Sequence, residues 1–368
     1  MRHARGLILL LVMGLLALGA APAAAQPACG EVLTQNTTLT ADLTCQETAL
    51  VIGAPGITVD LGGYGVTSFD DAVIVNEGHD DVTIRNGEVH SNADSIRLIG
   101  VSGNVLRDID AEGLIKGIVI EDSHHNRIVS NQIRTIPLTV VGSDHNVIAR
   151  NTILGFEGYL GISDSNYNRI VDNIVWVGRS SAFGIDGGSH HNQLRRNAFI
   201  NDSYNVISVR EANDNKFVGN AIGSSRQPYG VAGDIQSSSR NVFADNDIFG
   251  VTQGLRLLSG DANVFRGNDL SGVPATPGWV YPSWMDPSPV ADGIPIAAGA
   301  TGTLLRDNVV RGFADDGIDV DAPGTRLKAN SANDNGDLGI EAVPGVTDLG
   351  GNTASGNGNP LQCTNVAC

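Results

Sequence analysis

Apolar residues in this chain arrive in short runs, mostly Ile, Val and Leu, separated by stretches rich in Gly, Asn, Asp and Ser. No window sustains a 3.6-residue period, so the pattern predicts strands separated by turns, not helices. The runs also recur. Seven segments align without gaps, beginning at His125, His145, Tyr167, His191, Asp214, Arg240 and Ala262. Each carries Asn at its second position (Asn126, Asn146, Asn168, Asn192, Asn215, Asn241, Asn263) and again five residues on (Asn131, Asn151, Asn173, Asn197, Asn220, Asn246, Asn268). Between the two Asn an apolar residue holds a fixed offset: Ile128, Ile148, Ile170, Leu194, Phe217, Phe243, Phe265. Successive first Asn residues are 20, 22, 24, 23, 26 and 22 positions apart. That is the signature of a repeat protein.

Weaker copies extend the array at both ends, from Val82-Thr83-Ile84 to Leu349-Gly350-Gly351-Asn352. A short Gly-Ile strand precedes many of the Asn segments, as at Gly117-Ile118, Gly161-Ile162, Gly184-Ile185 and Gly317-Ile318. Each period therefore holds two or three short strands. Leucine-rich repeats have a similar period but need a Leu consensus and often a helical segment, and Ile and Val dominate here. The expected fold is all-β: a right-handed single-stranded parallel β-helix of about a dozen coils, a rod of roughly 55–60 Å at about 4.8 Å per coil. The paired Asn are expected to be scaffold, each amide donating to the Asn carbonyl of the next coil.

The first 25 residues have the layout of an export signal, with Arg2 and Arg5, an apolar stretch over Leu7 to Leu18, and Ala23-Ala24-Ala25 as a processing site. The expected organisation is this signal, a cap over 26–56, repeats over 57–355 with an insertion near 271–292, and a tail over 356–368. A secreted or periplasmic, monomeric protein without a membrane span follows. The whole sequence carries 23 basic and 40 acidic residues, a net charge of −17, which loss of Arg2 and Arg5 takes to −19. Such a surface repels nucleic acid and anionic lipid. Four cysteines lie in two tight groups, and a rod keeps its ends apart, so Cys29 is expected to pair with Cys45 and Cys363 with Cys368.

Runs of the form His-Asn-x-Ile-x-x-Asn-x-Ile resemble the parallel β-helix repeats of the NosD-like and carbohydrate-binding and sugar-hydrolase (CASH) superfamily, over roughly residues 50 to 355. The resemblance implies a pectin-lyase-like solenoid. Among functions it implies polysaccharide lyases, epimerases and glycosidases, or a periplasmic metal-handling factor of NosD type. The Asp-Pro-His of mannuronan epimerases is not present, since Asp286-Pro287 is followed by Ser288. The Gly-His-Gly of polygalacturonase-type glycosidases is not present either, since Gly78-His79 leads into Asp80.

Several groups are candidates for chemistry. Outward positions of the Gly-Ile strands place Asp186, Arg210, Asp234 and Arg256 on four consecutive coils, with Asp164 and Glu211 nearby. A carboxylate beside an Arg suits general-base work with stabilisation of a developing anion, or simply charge pairing across rungs. Asp315, Asp316, Asp319 and Asp321, with Asp307 in the same coil, are candidate oxygen ligands for Ca²⁺. His124, His125, Asp144 and His145, with His190 and His191 further on, are candidate ligands for a transition metal. The insertion presents Trp279, Tyr281 and Trp284 among prolines, flat rings suited to stacking on sugars or to docking the loop on the rod. The expected function is binding of a polysaccharide or cell-envelope glycan, with lyase, epimerase or hydrolase activity as the alternative.

Overall fold

The computed structural model describes residues 26–113, 116–134, 137–156, 159–178, 180–202, 205–225, 230–273 and 291–368. The segment expected to be an export signal lies outside them. Among the described residues every regular element is a strand, and every strand pairing is parallel. Each coil contributes one strand to a fourteen-stranded sheet, beginning at Glu31–Leu33 and ending at Ile340–Ala342. The chain then turns and lays down two more short strands, such as Arg127–Val129 and Gln132–Arg134, before starting the next coil. The result is an all-β, pectin-lyase-like parallel β-helix, as the repeat predicted.

The alternation of side chains along each strand decides what is inside. The fixed-offset apolar residues of the repeat stack in register: Ile128, Ile148, Ile170, Leu194, Phe217, Phe243 and Phe265. All are fully buried. The Phe217 and Phe243 rings lie 4.6 Å apart and nearly parallel, and Phe243 to Phe265 repeats the arrangement at 5.1 Å. One apolar column thus runs the length of the rod.

The Asn residues line the two turns beside this column and are almost fully buried. Each Oδ1 accepts the backbone N–H of the Asn one coil earlier, as from Asn126 to Asn146 at 2.8 Å and from Asn192 to Asn215 at 2.9 Å. In the second ladder the amide also donates to the next Asn, as from Asn131 to Asn151 at 3.0 Å. In most rungs of the first it turns instead to a main-chain carbonyl, as from Asn146 to Ser123 at 2.9 Å. A third ladder, of serines, was not anticipated: Ser123, Ser143, Ser165 and Ser189 each accept the N–H of the preceding rung through Oγ.

The turns demand a particular backbone. The residue before each first Asn is left-handed, from His125 (φ 58°) and Tyr167 (φ 57°) to Arg240 (φ 56°) and Ala262 (φ 53°). Side chains other than Gly adopt this conformation at a cost of about 1–2 kcal/mol. The ladder bonds that follow in each turn offset it.

Disulfides join Cys29 to Cys45 and Cys363 to Cys368, one at each end of the rod. No helix among the described residues is long and apolar enough to cross a membrane.

Candidate functional site

The outer face of the long sheet is a set of columns, because residues in register on successive rungs stack along the rod. One column reads Thr139, Gly161, Gly184, Ser208, Asp234, Arg256. Its first four positions have little or no side chain. The Tyr159 ring lies across the bare backbone of Gly161, where a Cβ would stand 2.5 Å from its Cε2. Beside it opens a groove of about 270 Å³, lined by Tyr159, Ser180, Ser181, Gly184, Asp186, Ser208 and Arg210.

The four residues expected to form a charged face divide into two roles. Asp186 and Arg210 end their strands, both exposed, and both line the groove. Asp234 is in register with Arg256 and is almost completely buried. Its Oδ1 lies 3.1 Å from Nε and from Nη2 of Arg256, and its Oδ2 lies 3.5 Å from Nη2 of Arg210. Asn205 donates to the same Oδ2 at 3.4 Å. Asp234 therefore positions two arginines. Asp186 has no ion pair among the described residues, so it is the carboxylate open to a ligand. Asp164 and Glu211 are left-handed turn residues just past the strand ends. Trp279, Tyr281 and Trp284 lie outside the described residues.

A second site collects carboxylates near the C-terminal end of the rod. Asp315, Asp316 and Asp337 each offer an oxygen within 4.8 Å of the others, and so do Asp316, Asp319 and Glu341. Asp321 and Asp307 belong to neither group. Burial, reinforced by the surrounding negative charge, pushes Asp292 up to about 7 and Asp319 up to about 6. Asp316 rises well above the ordinary carboxylate range for the same reasons, with a shared hydrogen bond to Glu341. Asp337, Glu341 and Asp292 did not stand out in the sequence. Their spacing was the available signal: Asp319 to Glu341 and Asp292 to Asp316 are separated by 22 and 24 positions, one coil each.

The histidines are arranged differently from the carboxylates. His125, His145, Tyr167 and His191 occupy the left-handed position of successive turns, and their rings stack at 5.0, 5.1 and 5.0 Å. His190 and His191 bring their Nδ1 atoms to 2.9 Å, and His124 Nδ1 accepts the N–H of Asp144.

Residues 57–237 match the family model described as periplasmic copper-binding protein (NosD). Over those residues the chain is similar to the NosD family, and its fold is a parallel β-helix. Solved structures at low identity are also similar to this chain. The surface adhesin PfbA of Streptococcus pneumoniae shares 10% identity at a TM-score of 0.52, covering 84% of this chain and 83% of the adhesin. A GH87 alpha-1,3-glucanase catalytic domain in complex with nigerose shares 12% identity at 0.48, covering 90% of this chain and 63% of that one. The periplasmic alginate epimerase AlgG shares 12% at 0.43, covering 84% and 76%. No curated protein matches the sequence significantly. A periplasmic family and paired cysteines are consistent with an exported protein.

The family description invites a test for copper, and the donors of this chain do not fit it. Copper favours imidazole and sulfur ligands. Among the described residues no His belongs to a group of three or more potential ligands, and no cysteine is free. His125, His145 and His191 stack in one column with Tyr167, and His190 and His191 bring together two ring nitrogens, not three or more ligands. The two convergent groups are carboxylates, which suit harder cations.

Proposed function

We propose that this protein binds a polysaccharide along the outer face of the long sheet, at the groove between Tyr159 and Arg210. One observation carries the reading: a flat aromatic ring and bare backbone lie beside an open carboxylate and an exposed guanidinium in a single groove. The apolar face of a sugar ring rests on such a surface, while Asp186 and Arg210 supply acceptors and donors for its hydroxyls. The repeat extends this surface along the rod, which suits a chain of sugars better than a small ligand. Asp234 has both oxygens engaged by arginine, so the groove presents one available carboxylate, not the pair used in most glycoside hydrolysis. That supports holding a glycan over cleaving it. The insertion rings Trp279, Tyr281 and Trp284 would add a second stacking position.

Affinity electrophoresis of the mature protein against plant, algal and bacterial polysaccharides, with assay of new reducing and unsaturated ends, tests this. Retardation by at least one polysaccharide is expected without bond cleavage, weakened about tenfold by Arg210→Ala or Tyr159→Ala. Loss of retardation in Trp279→Ala/Trp284→Ala but not in these variants moves the site to the insertion. Release of new ends establishes the enzyme alternative. No retardation by any polysaccharide overturns the proposal.

A further inference from the structure

Along the rod a number of acidic side chains are answered by arginine: Asp60 by Arg85, Asp94 by Arg97, Asp172 by Arg196, Asp214 by Arg240, Asp269 by Arg311. Near its C-terminal end this stops. Among the described residues, no basic side chain pairs with Asp292, Asp315, Asp316, Asp319, Asp337 or Glu341. Yet the fold forces them together. Asp319 and Glu341 face each other in register on adjacent rungs, and Asp292 hydrogen-bonds the main chain of Asp316.

The carboxylates form two ligand sets that overlap at one residue. Asp316 belongs to both groups of carboxylates, each with oxygens within 4.8 Å of one another. Two oxygens bound to the same Ca²⁺ at its usual 2.3–2.6 Å stand no more than about 5 Å apart. The set is all oxygen, comes from flexible carboxylates, and includes exposed Glu341 at the surface, where an ion can enter.

A separate observation points the same way. Asp292 is fully buried. Its Oδ1 accepts the N–H of Asp316 at 2.9 Å, but its Oδ2 is buried without any hydrogen-bond partner. The charges that act on it most are those of Asp319, Asp315 and Glu341, so the orphan oxygen belongs to the same neighbourhood. A proton placed on that oxygen would itself be a buried donor lacking an acceptor, and such a group costs stability. A cation held by the neighbouring carboxylates offsets the negative charge around that oxygen.

We propose that Asp315, Asp316, Asp319, Asp337 and Glu341 hold a Ca²⁺ ion, with Asp316 at its centre and the Asp292 carboxylate behind it. The ion clasps successive coils at the C-terminal end of the rod. The site shares no residue with the Tyr159–Arg210 groove, so either proposal can fail alone.

Calcium is the probe, added to the full mature chain after chelation and dialysis. Isothermal titration with CaCl₂ at pH 7.5 is expected to show saturable binding near one ion per chain, with a rise in melting temperature. Glu341→Gln and Asp337→Asn, both toward the surface, should weaken binding at least tenfold while keeping the β-rich circular dichroism spectrum. Asp186→Asn, in the groove, should bind as the parent does. Absence of binding up to millimolar Ca²⁺ overturns the site. So does binding that survives unchanged in folded Glu341→Gln and Asp337→Asn. Heat of equal size from MgCl₂ at the same concentrations would overturn the assignment to Ca²⁺.

Discussion

Arg256 closes on Asp234 from the next rung, with Nε and Nη2 both 3.1 Å from the same carboxylate oxygen. The two residues are in register on neighbouring strands, so the strand pairing itself sets their approach. Asp234 is nearly inaccessible, whereas Arg210, its second partner at 3.5 Å, is more than half exposed. The two arginines should therefore matter unequally. Arg256→Ala strands a buried carboxylate and is expected to destabilise by about 3 kcal/mol. Arg210→Ala should lose less than about 1 kcal/mol, as exposed pairs do. Urea denaturation of both variants measures the contrast, and equal losses would show that Asp234 is not held mainly by Arg256.

The first Asn ladder makes a second comparison possible. Asn192→Ala removes the acceptor of the Asn168 N–H (2.8 Å) and the donor to Ser165 O (2.8 Å), leaving both main-chain groups buried. A loss of about 2–4 kcal/mol is expected. The ladder's own end supplies the reverse experiment. Thr303 and Thr325 take the Asn position in the next two coils, and both hydroxyls are buried without partners. Thr303→Asn should extend the ladder from Asn263 and gain about 1 kcal/mol. A destabilised Thr303→Asn would mean that the turn is too tight for the larger side chain.

The acidic group fixes the sign of a pH dependence. In the folded state burial raises Asp292 to about 7, Asp319 to about 6, and Asp316 higher than usual. The unfolded chain releases those protons near the ordinary carboxylate value, about 3.9. The folded state thus binds more protons between these limits, and stability falls as pH rises from about 4 to about 8. Asp315, Asp337 and Glu341, which face these groups, add repulsion in the same direction. In chelator, melting temperature is expected to decline across this window, and Asp292→Asn should flatten the decline. An identical slope in the variant would place the dependence elsewhere.

Much of this architecture could be read from periodicity. Asn126 to Asn263 and Ile128 to Phe265 recur at one offset per coil, and a parallel solenoid converts equal offsets into stacks. The serine ladder followed the same rule but is broken by Ala212, so its period was less visible. The charged face was legible as a list, not as an arrangement: alternation shows that Asp234 points outward, but not that Arg256 folds over it. Tyr159 was missed because its role depends on the missing side chain of Gly161. The acidic group was legible in Asp315, Asp316 and Asp319. Its other members lie a coil away, and the 40-residue step between Asn263 and Thr303 obscures the coil containing Asp292.

The bonds between coils all point along the rod. Strand pairing, the Asn and Ser ladders and the stacked Phe rings join each coil only to its neighbours. Under tension applied at the two ends, these contacts are loaded in series, so the weakest junction sets the yield force. Each failure would release one coil's length of chain, about 20 to 26 residues between successive first Asn positions over most of the array. A junction clasped by a divalent ion would be the last to open at its end, and the rod would lengthen in steps while its remaining coils stayed folded.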